Sequence, residues 1–214
     1  MKFASFAALL AGCFVLAAAQ DNSLAAVEAA FRNAKIPGDL HINFRPTELL
    51  EVTFPQASGS SITLHAGLQL PRNATVGPPT FAVRGLTNTP RGQKFVVAAV
   101  DPDAPTPQTP TSAQIRHFLG GDFTIGQSTG GGTRSLVSNT PPVSGFLQPT
   151  PPAGSDAHRY VFLLFRQPAG FDDQTTVTPV TSIANFNISA FAQEVGLGNP
   201  LAGSFMLVAP DPCM

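Results

Sequence analysis

Twenty-one prolines, scattered between short apolar runs instead of gathered in one tract, set the strongest limit on what this chain can become. A proline removes a backbone donor and drives the residue before it away from helix, so the intervals between prolines suit short strands and rigid loops. The runs are Leu49 to Phe54, Ile62 to His65, Phe81 to Val83, Phe95 to Val100, Phe118 to Ile125, Tyr160 to Phe165 and Phe205 to Val208. Short strands separated by turn residues predict a mainly β, antiparallel fold. Two segments depart from this pattern. Leu24, Val27 and Phe31 recur at helical spacing between an Asn22 or Ser23 cap and a Pro37-Gly38 stop, which predicts a short N-terminal helix. A second short helix is expected from Ile188 to Val195, ended by Gly196 and Gly198. The Gly130-Gly131-Gly132 run reads as a loop tip, because it lacks the strand, lysine and helix context of a phosphate-binding loop.

The run Phe95 to Val100 passes straight into Asp101-Pro102-Asp103-Ala104-Pro105. A continuous apolar stretch suits a strand covered on both faces, so Asp101 falls where the core meets the surface.

The first nineteen residues carry one positive charge at Lys2, an apolar run from Phe3 to Ala19 and a small-residue exit at Ala17-Ala18-Ala19. They match a secretory signal peptide over 1–19, leaving one domain over 20–214. A transmembrane reading fails because Asp21 follows almost at once and no positive cluster anchors the far side. Cys13 leaves with the signal and only Cys213 remains, so an intrachain disulfide is not expected. Secretion also fits two sequons, Asn73-Ala74-Thr75 and Asn187-Ile188-Ser189, as glycosylation acceptors. Charged residues make up 12% of the chain without a basic block, which argues against a nucleic-acid partner.

Two of the four histidines stand beside these features. His117 enters an apolar segment, and His158 opens the run His158-Arg159-Tyr160-Val161-Phe162. On a strand His158 and Tyr160 share one face, about 7 Å apart. Tyr160 is the only tyrosine beside seventeen phenylalanines, which gives its hydroxyl either a ligand or a buried neighbour to bond.

The order Asp101-Pro102-Asp103-Ala104-Pro105, then His117, then Pro151-Pro152 and Gly154 leading to His158-Arg159-Tyr160-Val161-Phe162, resembles the phosphatidylethanolamine-binding protein family. The tail from Phe191 to Phe205 is similar to that family's closing helix and strand. The resemblance implies two antiparallel sheets with short helices, and a small pocket for an anion such as phosphate or a phospholipid head group. Matched by motif, the pocket residues are Asp101, His117, Pro152, His158 and Tyr160, with Asp103 bracing the turn through an Asx-type bond. Relatives often carry a tryptophan near the first pocket histidine; here Ile115 and Arg116 stand there, which places positive charge near the mouth.

The expected function is that of a secreted, non-catalytic binding protein, with no cofactor and no metal. The alternative is a protein that docks on a secreted or vacuolar serine carboxypeptidase and inhibits it. An enzyme built from Asp101, Asp103, His117 and His158 is disfavoured, since neither an H-E-x-x-H nor a G-x-S-x-G context is present.

Overall fold

The computed structural model describes residues 21–86 and 89–211, so the signal peptide expected over 1–19 and Cys213 lie outside the described residues. Nine strands form one mixed sheet. They are β1 (Leu49–Phe54), β2 (Ile62–Thr63), β3 (Leu68–Leu70), β4 (Thr80–Arg84), β5 (Phe95–Asp101), β6 (Ile115–Gly130), β7 (Thr133–Val137), β8 (His158–Arg166) and β9 (Ala202–Val208), in the spatial order β2-β1-β4-β7-β6-β5-β8-β9-β3. Helices α1 (Leu24–Asn33), α2 (Ile36–Asp39) and α3 (Ile188–Glu194) complete the described elements, with short 3-10 turns at Arg72–Thr75 and Phe171–Asp173.

The expectation of two antiparallel sheets is therefore corrected to one sheet, and the reason lies in β6. Its first part, Ile115 to Phe123, pairs with β5, whereas Thr124 to Gly130 pairs with β7. One 16-residue strand serves both halves, so the sheet curls without dividing. At the far edge β3 runs parallel to β9, with Leu68 opposite Met206. β1 also packs on β8 and β9, which are not its sheet neighbours, so the two halves close on each other.

Strand alternation divides the core into two layers. Phe95, Val97 and Ala99 of β5, with Phe162 and Leu164 of β8, face inward against Val52, Phe54 and Phe81 from the other half. Val96, Ala98 and Val100, with Val161, Leu163 and Phe165, face the helices. Helix α1 is capped by Ser23, whose Oγ accepts the Ala26 N–H at 3.3 Å. Its Phe31 stacks on Phe44 at 3.9 Å between centroids and meets Phe205 edge-on at 5.3 Å. Gly203 allows this approach, since a Cβ there would stand 2.8 Å from the Phe31 ring and 2.9 Å from the Phe162 carbonyl.

The loop expected at Gly130-Gly131-Gly132 is the tight turn of the β6–β7 hairpin, with φ of 104°, 56° and 80°. Positive φ at successive residues favours glycine and matches the strand twist.

Candidate functional site

Asp101 ends β5 and His158 opens the neighbouring β8. The alternation of both strands turns their side chains to the inner layer, beside Tyr160. His117 arrives on β6 through a bulge. Arg116 pairs with Val100 but Phe118 pairs with Ala99, which leaves His117 as the extra residue. A regular strand would turn His117 and Phe118 to opposite faces. The bulge instead lets Phe118 pack on Phe81 at 5.7 Å while His117 meets Tyr160 edge-on at 4.9 Å.

The structure thus brings Asp101, His117, His158 and Tyr160 together, at 3%, 5%, 1% and 2% exposure. The segment 147–155 is bonded to this cluster. His117 Nδ1 donates to the Leu147 carbonyl at 2.8 Å, the Thr150 backbone N–H acts on the Tyr160 hydroxyl, and Ser155 Oγ lies 2.9 Å from His158 Nε2. Prolines 149, 151 and 152 stiffen the segment. Pro152 itself is exposed, in a turn closed by the Ser155 N–H to its carbonyl at 3.1 Å. Pro151, beside it, is buried.

His158 holds the pair of bonds that defines the site's charge. Nδ1 donates to Asp101 Oδ2 at 2.9 Å, and the other Asp101 oxygen accepts the Asp103 N–H at 2.8 Å. Ser155 Oγ donates to the Asp156 carbonyl at 2.9 Å, so its lone pair is what faces His158 Nε2. With the hydroxyl so turned, a proton on Nε2 finds an acceptor in Ser155 as the one on Nδ1 does in Asp101. Burial opposes the charged form, but the hydrogen bond and charge of Asp101, with Asp103 and the Pro105 carbonyl, outweigh it and raise the His158 pKa. The row of hydroxyl, imidazole and carboxylate follows the order of a nucleophile triad, but the Ser155 proton is directed to the Asp156 carbonyl and not to the ring.

His117 is the opposite case. Burial lowers its pKa, the Leu147 carbonyl and Asp101 pull it up, and the nearby His158 charge pushes it down again; the net direction is downward. Its Nδ1 carries the proton bound to Leu147, so Nε2 is the nitrogen left for a ligand. Tyr160 is pushed well above its ordinary range by burial and by Asp101, and stays a neutral donor. An NMR titration of the two imidazoles is expected to find His158 above 6.5 and His117 below it. Coincident midpoints would contradict this geometry.

Two expectations change. Asp103 does not brace the turn with its own carboxylate, since the Asx-type bond runs from its N–H to Asp101. The Asp103 carboxylate grips Arg159 instead, accepting from the backbone N–H at 2.7 Å, Nε at 3.0 Å and Nη2 at 2.6 Å. Arg116 does not stand at the mouth, because the register ahead of the bulge turns it to the helix side, over Phe186. Three partners were missed in the sequence. Ser155 and Leu147 act through loop geometry, and Arg72 is close enough to lower the Tyr160 pKa against burial. Among the described residues no three His, Cys, Asp or Glu side chains are grouped to hold a metal, and no helix is long and apolar enough to cross a membrane.

A family sequence model described as phosphatidylethanolamine-binding protein matches residues 56–206. The chain is 27% identical over 169 residues to a 26 kDa secreted antigen of Toxocara canis, covering 78% of this chain and 58% of the antigen, less than two thirds of its length. It is 30% identical over 181 residues to the phomoidride biosynthesis cluster protein N of Talaromyces stipitatus, covering 78% of this chain and 87% of that protein. In structure it is similar to a carboxypeptidase Y inhibitor complexed with its cognate proteinase, with a TM-score of 0.75 at 22% identity, over 88% of this chain and 97% of the inhibitor. A phosphatidylethanolamine-binding protein from Plasmodium vivax superimposes with a TM-score of 0.65 at 15% identity, over 86% and 97% of the two chains.

Proposed function

Because the chain belongs to the phosphatidylethanolamine-binding protein family, we propose that it is a secreted, non-catalytic protein that binds a small anion, phosphate or a phospholipid head group, at Asp101, His117, Pro152, His158 and Tyr160. The observation that carries this reading is the bond from Asp101 to His158, which favours the charged imidazole, beside a His117 Nε2 without a partner among the described residues and the neutral Tyr160 hydroxyl. Asp101 spends one oxygen on His158 and the other on the Asp103 N–H, so it serves the anion by orienting and charging the imidazole, not by meeting an ammonium group. Arg72 adds positive charge on the Tyr160 side.

His117 makes the binding pH-dependent. At neutral pH its Nε2 is a lone pair, which repels a phosphate oxygen. Binding therefore takes up a proton between Nε2 and the phosphate oxygen, carried by His117 or by the phosphate itself, and affinity is expected to rise as pH falls from about 8 to 6. Calorimetry with inorganic phosphate and glycerophosphoethanolamine tests the reading, with His158→Ala beside the native protein. Native binding with at least about tenfold loss in the variant supports it. Equal heats from both proteins, or none from either, would sink it.

The secreted route is supported by the signal pattern over 1–19 and by both sequons. Asn73 and Asn187 are exposed. Asn187 caps α3 through Oδ1, which accepts the Ala190 N–H at 2.9 Å. The amide nitrogen that a glycan would occupy takes no part in that cap.

A second reading, inhibition of a serine carboxypeptidase by docking, rests on the fold shared with the carboxypeptidase Y inhibitor. Titration against such a peptidase separates the two. Falling hydrolysis at micromolar protein selects the inhibitor, and unchanged hydrolysis selects the anion carrier.

A further inference from the structure

Arg116 leaves β6 on the face away from His117 and lines a cavity of about 290 Å³ between α3 and the loop before it. We propose that this cavity is a second binding site, for the carboxylate of a small apolar acid, with the buried Arg116 guanidinium as its counter-charge.

The argument begins with what the guanidinium lacks. Arg116 is 1% exposed. Its Nη1 donates to the Ser182 carbonyl at 3.2 Å and its Nη2 to the Thr181 carbonyl at 2.9 Å. Both acceptors are neutral. Nε is buried with no partner, so of the five N–H groups a guanidinium carries, three are unused. Among the described residues no carboxylate comes within the 4.0 Å of an ion pair with it. A buried charge without an opposite charge costs several kcal/mol, and an arginine cannot escape by losing its proton, although burial pushes its pKa down. The Phe186 ring, 5.2 Å from Cζ, answers only part of that cost.

The cavity supplies the rest of the specificity. Glu194, the only carboxylate in its lining, is bonded to Thr176 Oγ1 at 2.8 Å and stays out of ion-pair range of Arg116. Its charge repels any anion, a dianion such as phosphate more than a singly charged carboxylate. A carboxylate is planar and singly charged, and it matches the guanidinium fork. Val177, Phe186 and Phe191 form apolar walls for a tail. Val180 and Ile183, on the same loop, expose apolar side chains at 93% and 38%. The volume lies near the lower limit of ligand cavities, which restricts the guest to a short-chain or single-ring acid.

Asn187 also lines the cavity, so the site is tested in protein without a glycan there, with hexanoate as the probe, hexan-1-ol as its uncharged counterpart and inorganic phosphate as the control for the first site. In nitrogen-labelled protein, hexanoate is expected to shift amides between 176 and 194 in a saturable way, with hexan-1-ol at least about tenfold weaker. Arg116→Gln removes the charge and, with its shorter side chain, also gives up the Nη contacts to the Thr181 and Ser182 carbonyls. It is expected to weaken hexanoate about tenfold or more without changing the phosphate response. Ala190→Phe fills the cavity from α3 without touching Arg116, and is expected to abolish hexanoate binding even where Arg116→Gln fails to fold. The proposal is overturned by the absence of saturable shifts in the native protein, by equal responses to hexanoate and hexan-1-ol, or by hexanoate binding that survives Ala190→Phe. Loss of stability in Arg116→Gln with hexanoate binding intact would also overturn it, and would make Arg116 a loop tether only.

Discussion

Replacing Arg159 by methionine is expected to lower the free energy of unfolding by about 3–5 kcal/mol, because it strands a carboxylate in the interior. Asp103 is 2% exposed, and Arg159 answers both of its oxygens. The same guanidinium reaches Asp39 at 2.7 Å and the Ala34 carbonyl at 2.5 Å, so it ties β8 and the Asp101-Pro102-Asp103 turn to α1 and α2. Urea unfolding reads the loss as a lower midpoint with an unchanged slope. Removing both partners, Asp103→Leu with Arg159→Met, is expected to cost less than Arg159→Met alone, since no charge is left unpaired. A cost below about 1 kcal/mol for the single variant would mean that the pair behaves like an exposed ion pair.

Asp101→Asn is the second large effect, and it separates charge from shape. Without the carboxylate, His158 loses the partner that most opposes burial, and its pKa is expected to fall. Less of the imidazole is then charged at pH 7, and phosphate affinity is expected to drop by about ten- to a hundredfold. Stability changes its dependence on pH as well. In the native protein the folded pKa of His158 is raised, so its contribution is complete below about 6.5 and is lost as pH climbs through the folded value. In Asp101→Asn the folded pKa is lower than in the native protein, so the loss of stability with rising pH is expected to shrink or reverse. His117, depressed in both proteins, contributes the reverse slope throughout. Urea midpoints measured from pH 5 to 9 read the difference, and parallel profiles would show that Asp101 does not set the charge of His158.

Much of this was legible in the residues. The apolar runs marked seven of the nine strands, and the period-2 rule put His158 and Tyr160 on one face, where their rings lie 6.3 Å apart at 21°. The two missed strands carry little apolar signal. β7 reads Thr133-Arg134-Ser135-Leu136-Val137, with only Thr133 and Leu136 buried, and β3 has three residues. Nor does a run reveal where a strand changes partners, so one curled sheet could not be told from two. Composition also does not encode a bulge, and the bulge at His117 decides which of Arg116 and His117 reaches the site. The partners of Asp103 and Arg116 depend on segments far along the chain, Arg159 for one and the 181–186 loop for the other.

The edge strand β3 has a consequence for biosynthesis. Leu68 to Leu70 find their partners at Met206 to Val208, and Phe31 rests on Gly203 and Phe205. A chain made from its N-terminus, at about 5–20 residues per second, therefore holds these early segments without their cover until its last strand is synthesised. The fold closes only once the chain is essentially whole. On the secreted route proposed above, that delay would keep the chain loose during translocation and reserve the final docking for the far side of the membrane.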